Sequence, residues 1–525
     1  MTLAENPSDF NSLGKNEKSA EPNETTFTPV SKLRQSVPQI CAVSAKNLLL
    51  ITIGTTIGFP TILLPALQKK DSEISVTVED LTWIGSITLF AGPLGCLVSG
   101  PISEFMGRKK AMLISNIPYT ISWILLYYAA TPTMLYIPMA LGGFIGGLIE
   151  GPILTYVSEI TQPHLRGPLS ATASMAVIVG VFFEFAAGSF VDWRYVALIN
   201  ILFPVLCAIT LSMVPESPYW LAGKGRVKDA EKALRFFRGW VSPSHVQDEL
   251  QTVLNSVGNT SDEKNSDNVK KEKRWEPYFK MSVVKPFLLV ISAFAGDAFG
   301  GSTVVQTYAI SIFEALNSPI DTYNATVCLG VAEVAGTLLC VGLIHFTGKR
   351  KISFVSMLGT GLCYLGTSIY SFLLNNGDIE PESWTWAPTT LIIGSALLSH
   401  LGLKLVAWIL IGEVFPATVR SGATGVAAAV GYVVFSIANK IYLYMVDGMK
   451  IYGTFMFYAV INFLTCILMY FILPETEGRS LQEIEEHYAG INKIANKPRK
   501  EALPFKEKFA ASNPVPVNDE TESKL

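Results

Sequence analysis

Apolar residues in this chain gather into long runs separated by short polar stretches. A run of about 20 mostly apolar residues is long enough to cross a bilayer as a helix. Twelve such runs predict helices over 43–67, 81–104, 110–130, 133–159, 168–190, 194–214, 285–316, 322–347, 351–374, 386–412, 417–446 and 450–473. Residues 215–284 form one long polar insert, which divides the runs six and six. Five segments follow: an N-terminal tail over 1–42, a six-helix half over 43–214, a linker over 215–284, a second half over 285–473 and a tail over 474–525. The expected fold class is therefore an all-α membrane protein with twelve transmembrane helices in two halves.

The polar segments carry some structure of their own. Lys228–Arg238 (KDAEKALRFFR) sets apolar residues at helical spacing among basic ones, which predicts a short amphipathic helix. Residues 480–488 (SLQEIEEHY) open on Ser480 with Glu483 three positions later, a capping-box start for a second one. The tails, rich in Ser, Asn, Glu and Pro, and the stretch 255–273 read as disordered or mobile. The first 40 residues lack the apolar core of a signal peptide.

Charge orients the array. One set of loops holds Arg108, Lys109, Lys110, Arg166, Lys349, Arg350, Lys351 and Arg420, and the linker adds Lys224, Arg226, Lys228, Lys232, Arg235 and Arg238. The opposite set holds only Lys69, Lys70, Arg194 and Lys450. An excess of Lys and Arg marks the cytoplasmic side, so the basic face and both termini are expected there. Half of the 525 residues are hydrophobic, 16% are charged and the net charge is −3, a balance that does not point to nucleic acid. Six of the seven cysteines fall inside apolar runs, and none shows metal-ligand spacing. We expect no metal and no cofactor. His400 has no clustered Cys, His or Asp beside it, so an intramembrane enzyme is disfavoured.

The halves echo each other at the basic face. Glu159 is followed by Pro163 and Arg166, and Glu413 by Pro416 and Arg420, both arginines lying seven residues after the acid. Pro215-Glu216-Ser217 matches Pro474-Glu475-Thr476, and Gly107-Arg108-Lys109 matches Gly348-Lys349-Arg350. Six spans separate each pair, and an even number keeps the direction, so these are parallel repeats. The physical reading is a latch: carboxylates at helix ends pair with arginines of neighbouring helices when the basic side is closed. Each exposed pair is worth only about 0–1 kcal/mol, which makes a set of them reversible. The candidate latch residues are Glu104, Arg108, Glu159, Arg166, Glu216, Lys349, Glu413, Arg420 and Glu475.

These motifs carry a resemblance. GPISEFMGRK (100–109), EITQPHLRG (159–167), PESPYWL (215–221), SIFE (311–314), Glu413–Arg420 and PETEGRSL (474–481) resemble the signatures of the sugar porters of the major facilitator superfamily. The likeness covers roughly residues 45 to 488 and is greatest to the insect branch of facilitated trehalose and glucose transporters. His345 and Glu104 depart from the pattern. The resemblance implies the major facilitator fold and a plasma-membrane carrier that moves a sugar, a hexose or a disaccharide such as trehalose, by alternating access. A carrier for another small polar or anionic solute, with or without proton coupling, and a non-transporting sugar sensor remain alternatives. The implied partners are the small solute and the lipid bilayer.

The resemblance also implies a mid-membrane cavity, and its sugar-binding positions map onto Ser174, Asp297, Ala298, Thr303, Glu333, a position near Gly431, and Trp408. Where amides are usual, this chain has mostly charge. His400, Lys404 and Trp408 are spaced i, i+4, i+8, one stripe of a helix. Lys404 lies about 13 Å from Glu413 along that helix, near mid-membrane, with Asp297 and Glu333 as its expected partners. The candidate substrate residues are therefore Trp408, Lys404, His400, Asp297, Thr303, Glu333 and Ser174. Proton-linked relatives carry an acid in span one and an arginine in span four. Here span one has no acid and the span-four position is Gly143, which favours facilitated diffusion, although Asp297 or Glu333 could still carry a proton.

Overall fold

The computed structural model describes residues 31–256, 279–377, 384–416 and 419–495. The disorder expected of most of both tails and of 255–273 falls largely outside these residues. Everything regular among the described residues is helical. Span one is Lys32–Gln68, span two is Val78–Ile84 with Ile87–Met106, span three is Arg108–Tyr127 and span four is Pro132–Ile160. Span five is Pro163–Phe190, and span six is Trp193–Asn200 with Leu202–Ser212. Linker helices Pro218–Gly223 and Val227–Phe237 follow. Span seven is three pieces, Met281–Phe299, Ser302–Thr307 and Ala309–Ala315. Span eight is Thr322–Thr347, span nine is Lys349–Asn376, and span ten is Trp386–Leu401 with Leu403–Glu413. Spans eleven and twelve run as Arg420–Ile472, folded back at Lys450 with φ 61 and ψ 174. A last helix, Leu481–Ala489, starts at the predicted Ser480 cap.

Among the described residues, ten helices are long and apolar enough to cross a membrane. One of the ten, Gly422–Ile472, is the folded pair of spans eleven and twelve. Span three lies outside the ten; its basic start and Ser115, Asn116, Thr120 and Ser122 lower its hydropathy. With these two points the twelve predicted spans are all present as helices. Phe90, Leu94, Ile117, Leu338, Leu362 and Ile467 are more than half exposed, an apolar belt suited to lipid.

Two boundaries differ from the hydrophobic pattern. Span one begins at Lys32, so residues 32–42 are helical instead of belonging to a disordered tail. They are held by the linker: Gln39 Nε2 donates to the Phe237 carbonyl at 3.1 Å, and Arg34 Nε to the Gly239 carbonyl at 3.0 Å. Polar helix therefore continues where a tertiary surface receives it. Span seven breaks at Gly300-Gly301, where Gly301 has φ 89, and any side chain there would meet the Tyr458 ring.

The cores show how the halves meet. One buried cluster joins Phe59, Leu63, Trp123, Phe185 and Val196 of the first half to Phe294, Ile312, Leu329 and Tyr458 of the second. Its first-half members sit towards the ends of the spans away from the basic loops. A separate cluster, including Ala42, Leu49, Met112, Tyr156, Ile160, Leu211 and Phe237, fills the first half near those loops. The halves thus share a core at the face opposite the basic loops. Hydrogen bonds cross there too. Thr61 Oγ1 donates to the Gln306 carbonyl at 2.9 Å, Lys440 Nζ to Thr82 Oγ1 at 2.6 Å, and Ser436 Oγ to the Ser86 carbonyl at 3.3 Å. Lys440 Nζ also lies 4.0 Å from the centroid of the Trp83 ring.

Candidate functional site

At the basic face the sequence repeat is a structural repeat. Gly107 (φ 96) and Gly348 (φ 83) make the matched turns into spans three and nine. A carboxylate sits on the helix start that each turn exposes. Glu216 accepts the Lys109 N–H at 2.8 Å and the Lys110 N–H at 3.3 Å. Glu475 accepts the Lys349 N–H at 3.0 Å and the Arg350 N–H at 3.1 Å. Free N–H groups and the helix dipole both favour an anion there. Beside each cap lies an ion pair. Arg108 grips Glu159 with two hydrogen bonds, Nε at 3.1 Å and Nη2 at 3.0 Å, and Ser217 Oγ also donates to Glu159. Lys349 Nζ reaches both oxygens of Glu413 at 2.7 Å, and Thr476 Oγ1 donates to the same carboxylate at 2.9 Å.

These pairings refine the expected latch. Arg108–Glu159 lies wholly in the first half and Lys349–Glu413 wholly in the second, so neither ties the halves together. Arg166 and Arg420 bind carbonyls in place of carboxylates: Arg166 Nη2 donates to Thr161 O at 3.5 Å, and Arg420 Nε to Phe415 O at 3.1 Å. The reason is local, since Arg108 and Lys349 already hold Glu159 and Glu413, and each arginine lies one turn past a loop carbonyl. The Glu104 side chain is exposed and makes no ion pair among the described residues, and Trp220 Nε1 donates to its backbone carbonyl at 2.9 Å. Sequence reasoning missed Glu477, which pairs with Lys349 at 3.2 Å and with His345 at 2.7 Å. Its signal was the replacement of an expected acid by His345, which asks for an acid elsewhere. Burial works to raise the Glu477 carboxyl, but Lys349 and His345 outweigh it and hold it below its ordinary value.

The second cluster lies at mid-span between spans seven, eight and ten. Gln306 stands at its centre on the isolated helix Ser302–Thr307. Its Nε2 donates to Glu333 Oε2 at 2.9 Å, and its Oε1 accepts from Lys404 Nζ at 3.3 Å. An amide can do both at once, so it relays between a cation and a carboxylate. Lys404 thus reaches Glu333 through Gln306 instead of by direct contact. Lys404 is half-buried, whereas Gln306 and Glu333 are buried. The Lys404 charge also acts on Asp297, which is buried and whose Oδ1 accepts from Ser302 Oγ at 2.6 Å. Asp297 Oδ2 is buried without a hydrogen-bond partner among the described residues.

An aromatic wall adjoins the charges. Trp408 packs against Phe294 at 5.0 Å between ring centroids and against Tyr432 at 5.7 Å, uniting spans seven, ten and eleven. An added Cβ at Gly431 would crowd the Phe294 ring, so the absent side chain there makes room for the wall. The His400–Lys404–Trp408 stripe does not hold as predicted. Span ten breaks at Gly402, between His400 and Lys404, so the helical register does not carry across. His400 is buried, its Nδ1 lies 2.9 Å from the Ala396 carbonyl one turn back, and it packs near Gly336 of span eight. Thr303 is buried with its carbonyl taken by Thr307 Oγ1 at 3.0 Å, and Ser174 is half-buried on span five, outside this cluster. Gly143 leaves no room for arginine, because a Cβ there would run into the Thr88 carbonyl.

Gln306, Phe294 and Tyr432 were not read from sequence. The amide lies nine residues after Asp297, a spacing that no continuous helix brings together, and only the break at Gly301 does so. Two further acids have local partners: buried Glu184 accepts from Asn200 Nδ2 at 3.0 Å, and half-buried Glu150 lies 3.6 Å from Cys96 Sγ.

Comparison with known proteins places this geometry in context. Residues 40–488 match the family model described as Sugar (and other) transporter. The chain is 26% identical over 447 residues to the facilitated trehalose transporter Tret1 of Bombyx mori, covering 85% of this chain and 86% of that one. It is 26% identical over 463 residues to Tret1 of Polypedilum vanderplanki, covering 87% and 90%. Among solved structures, the partially occluded inward open conformation of the xylose transporter XylE from E. coli superposes with a TM-score of 0.69 at 18% identity. That match covers 84% of this chain and 99% of XylE, and it supports the twelve-helix fold.

Proposed function

The chain belongs to the sugar (and other) transporter family, and we propose that it is a multi-pass membrane carrier that moves a sugar by alternating access. The observation that carries the site assignment is the Lys404–Gln306–Glu333 relay beside the Trp408 wall, at mid-span in the second half. An indole face suits the C–H face of a pyranose, and amide and ammonium groups suit its hydroxyls. The names of the Bombyx and Polypedilum relatives favour a disaccharide such as trehalose, moved by facilitated diffusion. The basic face is read as cytoplasmic, the membrane as the plasma membrane, and the present state as closed on the outer side.

In this reading the solute enters from the basic side, stacks on Trp408 and takes hydrogen bonds from Lys404 and Gln306. The halves then rock about the site. The ion pairs at the basic ends keep each half rigid through the motion. No chemistry is performed on the solute.

Lys404 favours a second reading. It is half-buried, and its one acceptor among the described residues, at 3.3 Å, leaves two of its three N–H donors for a ligand. A sugar acid or other hydroxylated anion would use them. The test is uptake into proteoliposomes of glucose, trehalose and a panel of organic acids, with and without a pH gradient. Saturable sugar uptake indifferent to the gradient supports the sugar uniporter. Uptake of acids alone supports the second reading, and uptake of neither overturns both.

A further inference from the structure

We propose that Gln306 is a positioning residue that couples the charged site to closure of the opposite face; the functional sense of this coupling rests on the carrier reading above. Three bonds meet on this one buried residue. Its side chain is held between Lys404 (3.3 Å) and Glu333 (2.9 Å), both in the second half. Its backbone carbonyl accepts Thr61 Oγ1 from the first half at 2.9 Å, and Thr61 is buried as well. The carbonyl lies in the last turn of a helix, where a C=O is free for an outside donor.

The helix that carries Gln306 is built to shift as a unit. Ser302–Thr307 is bounded by Gly301 at φ 89 and by Tyr308 at φ −109, ψ 22. The side chain of Gln306 therefore sets where its carbonyl sits, and the carbonyl sets whether Thr61 can reach it. A solute that draws Lys404 or the Gln306 amide into its own hydrogen bonds releases one anchor of this helix. The bond across the seam then weakens, and the opposite face is freed to open. Lys404 and Thr61 do not touch and belong to different halves, yet the arrangement makes them energetically dependent on each other through Gln306.

The experiment reads the seam directly. Ser86, whose carbonyl accepts Ser436 across the halves, is buried. Ser86→Cys in the full chain, reconstituted in nanodiscs, is labelled with a maleimide, and the chain without the introduced cysteine gives the background rate. Thr61→Val and Lys404→Ala are each expected to raise labelling about 3–10-fold, as the loss of one buried hydrogen bond would. The double variant is expected to label no faster than the faster single one, and in Gln306→Leu the Lys404 change adds nothing. Thr61→Ser, which keeps the hydroxyl, labels like the parent. Rates that multiply in the double variant, or no effect of Thr61→Val, overturn the coupling. If Gln306→Leu does not fold, the Thr61–Lys404 pair alone still decides. Labelling needs no substrate, so a chain that shows the coupling but takes up no solute would count against the carrier reading and leave the coupling standing.

Discussion

Replacing Lys404 with methionine keeps most of the side-chain stem and removes the charge. Gln306 Oε1 then loses its donor, and Glu333 and Asp297 lose a cation whose charge acts on both. Breaking a direct buried ion pair costs about 3–5 kcal/mol. Here the link runs through an amide, the bond is 3.3 Å long and Lys404 is half-buried, so the lower figure for an unmatched buried acceptor applies, about 1–3 kcal/mol. Uptake suffers separately. A hydrogen bond from a charged donor is worth about 1.5–3 kcal/mol, which is about 10- to 150-fold in transport efficiency if Lys404 touches the solute. The two effects separate in a second variant. Glu333→Gln removes the stranded carboxylate while leaving an acceptor for Gln306 Nε2. Lys404→Met/Glu333→Gln should therefore melt above Lys404→Met, while uptake stays low. Thermal unfolding of purified protein and uptake normalised to surface protein read the two quantities. Parental uptake and melting in Lys404→Met would refute the reasoning, as would a second substitution that restores no stability.

The basic face gives two further predictions. Glu216→Ala and Glu475→Ala each remove an N-terminal cap and should cost similar amounts, about 0.5–2 kcal/mol, read by thermal unfolding; a large effect of one and none of the other would break the structural repeat. Glu477 titrates below its ordinary 4.5. A depressed carboxyl stabilises fully above the unfolded value and loses that contribution as pH falls through the folded one. The stability difference between the parent and Glu477→Gln should therefore shrink as pH falls below about 4.5, in melts recorded across that range. Trp408→Leu should weaken sugar uptake chiefly through KM, with expression retained, because the indole is half-buried and leucine keeps apolar packing on Phe294 and Tyr432.

Much of this architecture was legible because membrane helices announce themselves by length and hydropathy. The repeat was legible because turns need glycine and helix starts attract carboxylates, so Gly107/Glu216 and Gly348/Glu475 leave matching text. What sequence hid lies at helix breaks. The stripe from His400 to Trp408 assumed one continuous helix, and Gly402 interrupts it. Gln306 was invisible for the converse reason: Gly301 folds it into the same cluster as Asp297 and Glu333, at no helical spacing from the first. Contacts between the halves were hidden too. Nothing in the apolar run around Lys440 says that its ammonium will lie over Trp83.

The location of the charges bears on where the energy of alternation resides. A latch between halves would need an acid of one half on a base of the other. The basic-face pairs do not do this: Arg108 holds Glu159, and Lys349 holds Glu413, each beside a helix cap of its own half. Such pairs tie the ends of three spans together within each half. Among the described residues, the side-chain hydrogen bonds that cross between the halves are elsewhere. They lie at the opposite face, Thr61 to Gln306, Lys440 to Thr82 and Trp83, and Ser436 to Ser86. Neutral or singly charged bonds of this kind are worth about 0.5–3 kcal/mol each. Three of them make a seam that a bound solute can overcome, since a ligand shifts an equilibrium only by its differential affinity for the two states. In this state the charged repeat most visible in the sequence is spent within each half, and the hydrogen bonds that cross between the halves fall on residues the sequence does not mark.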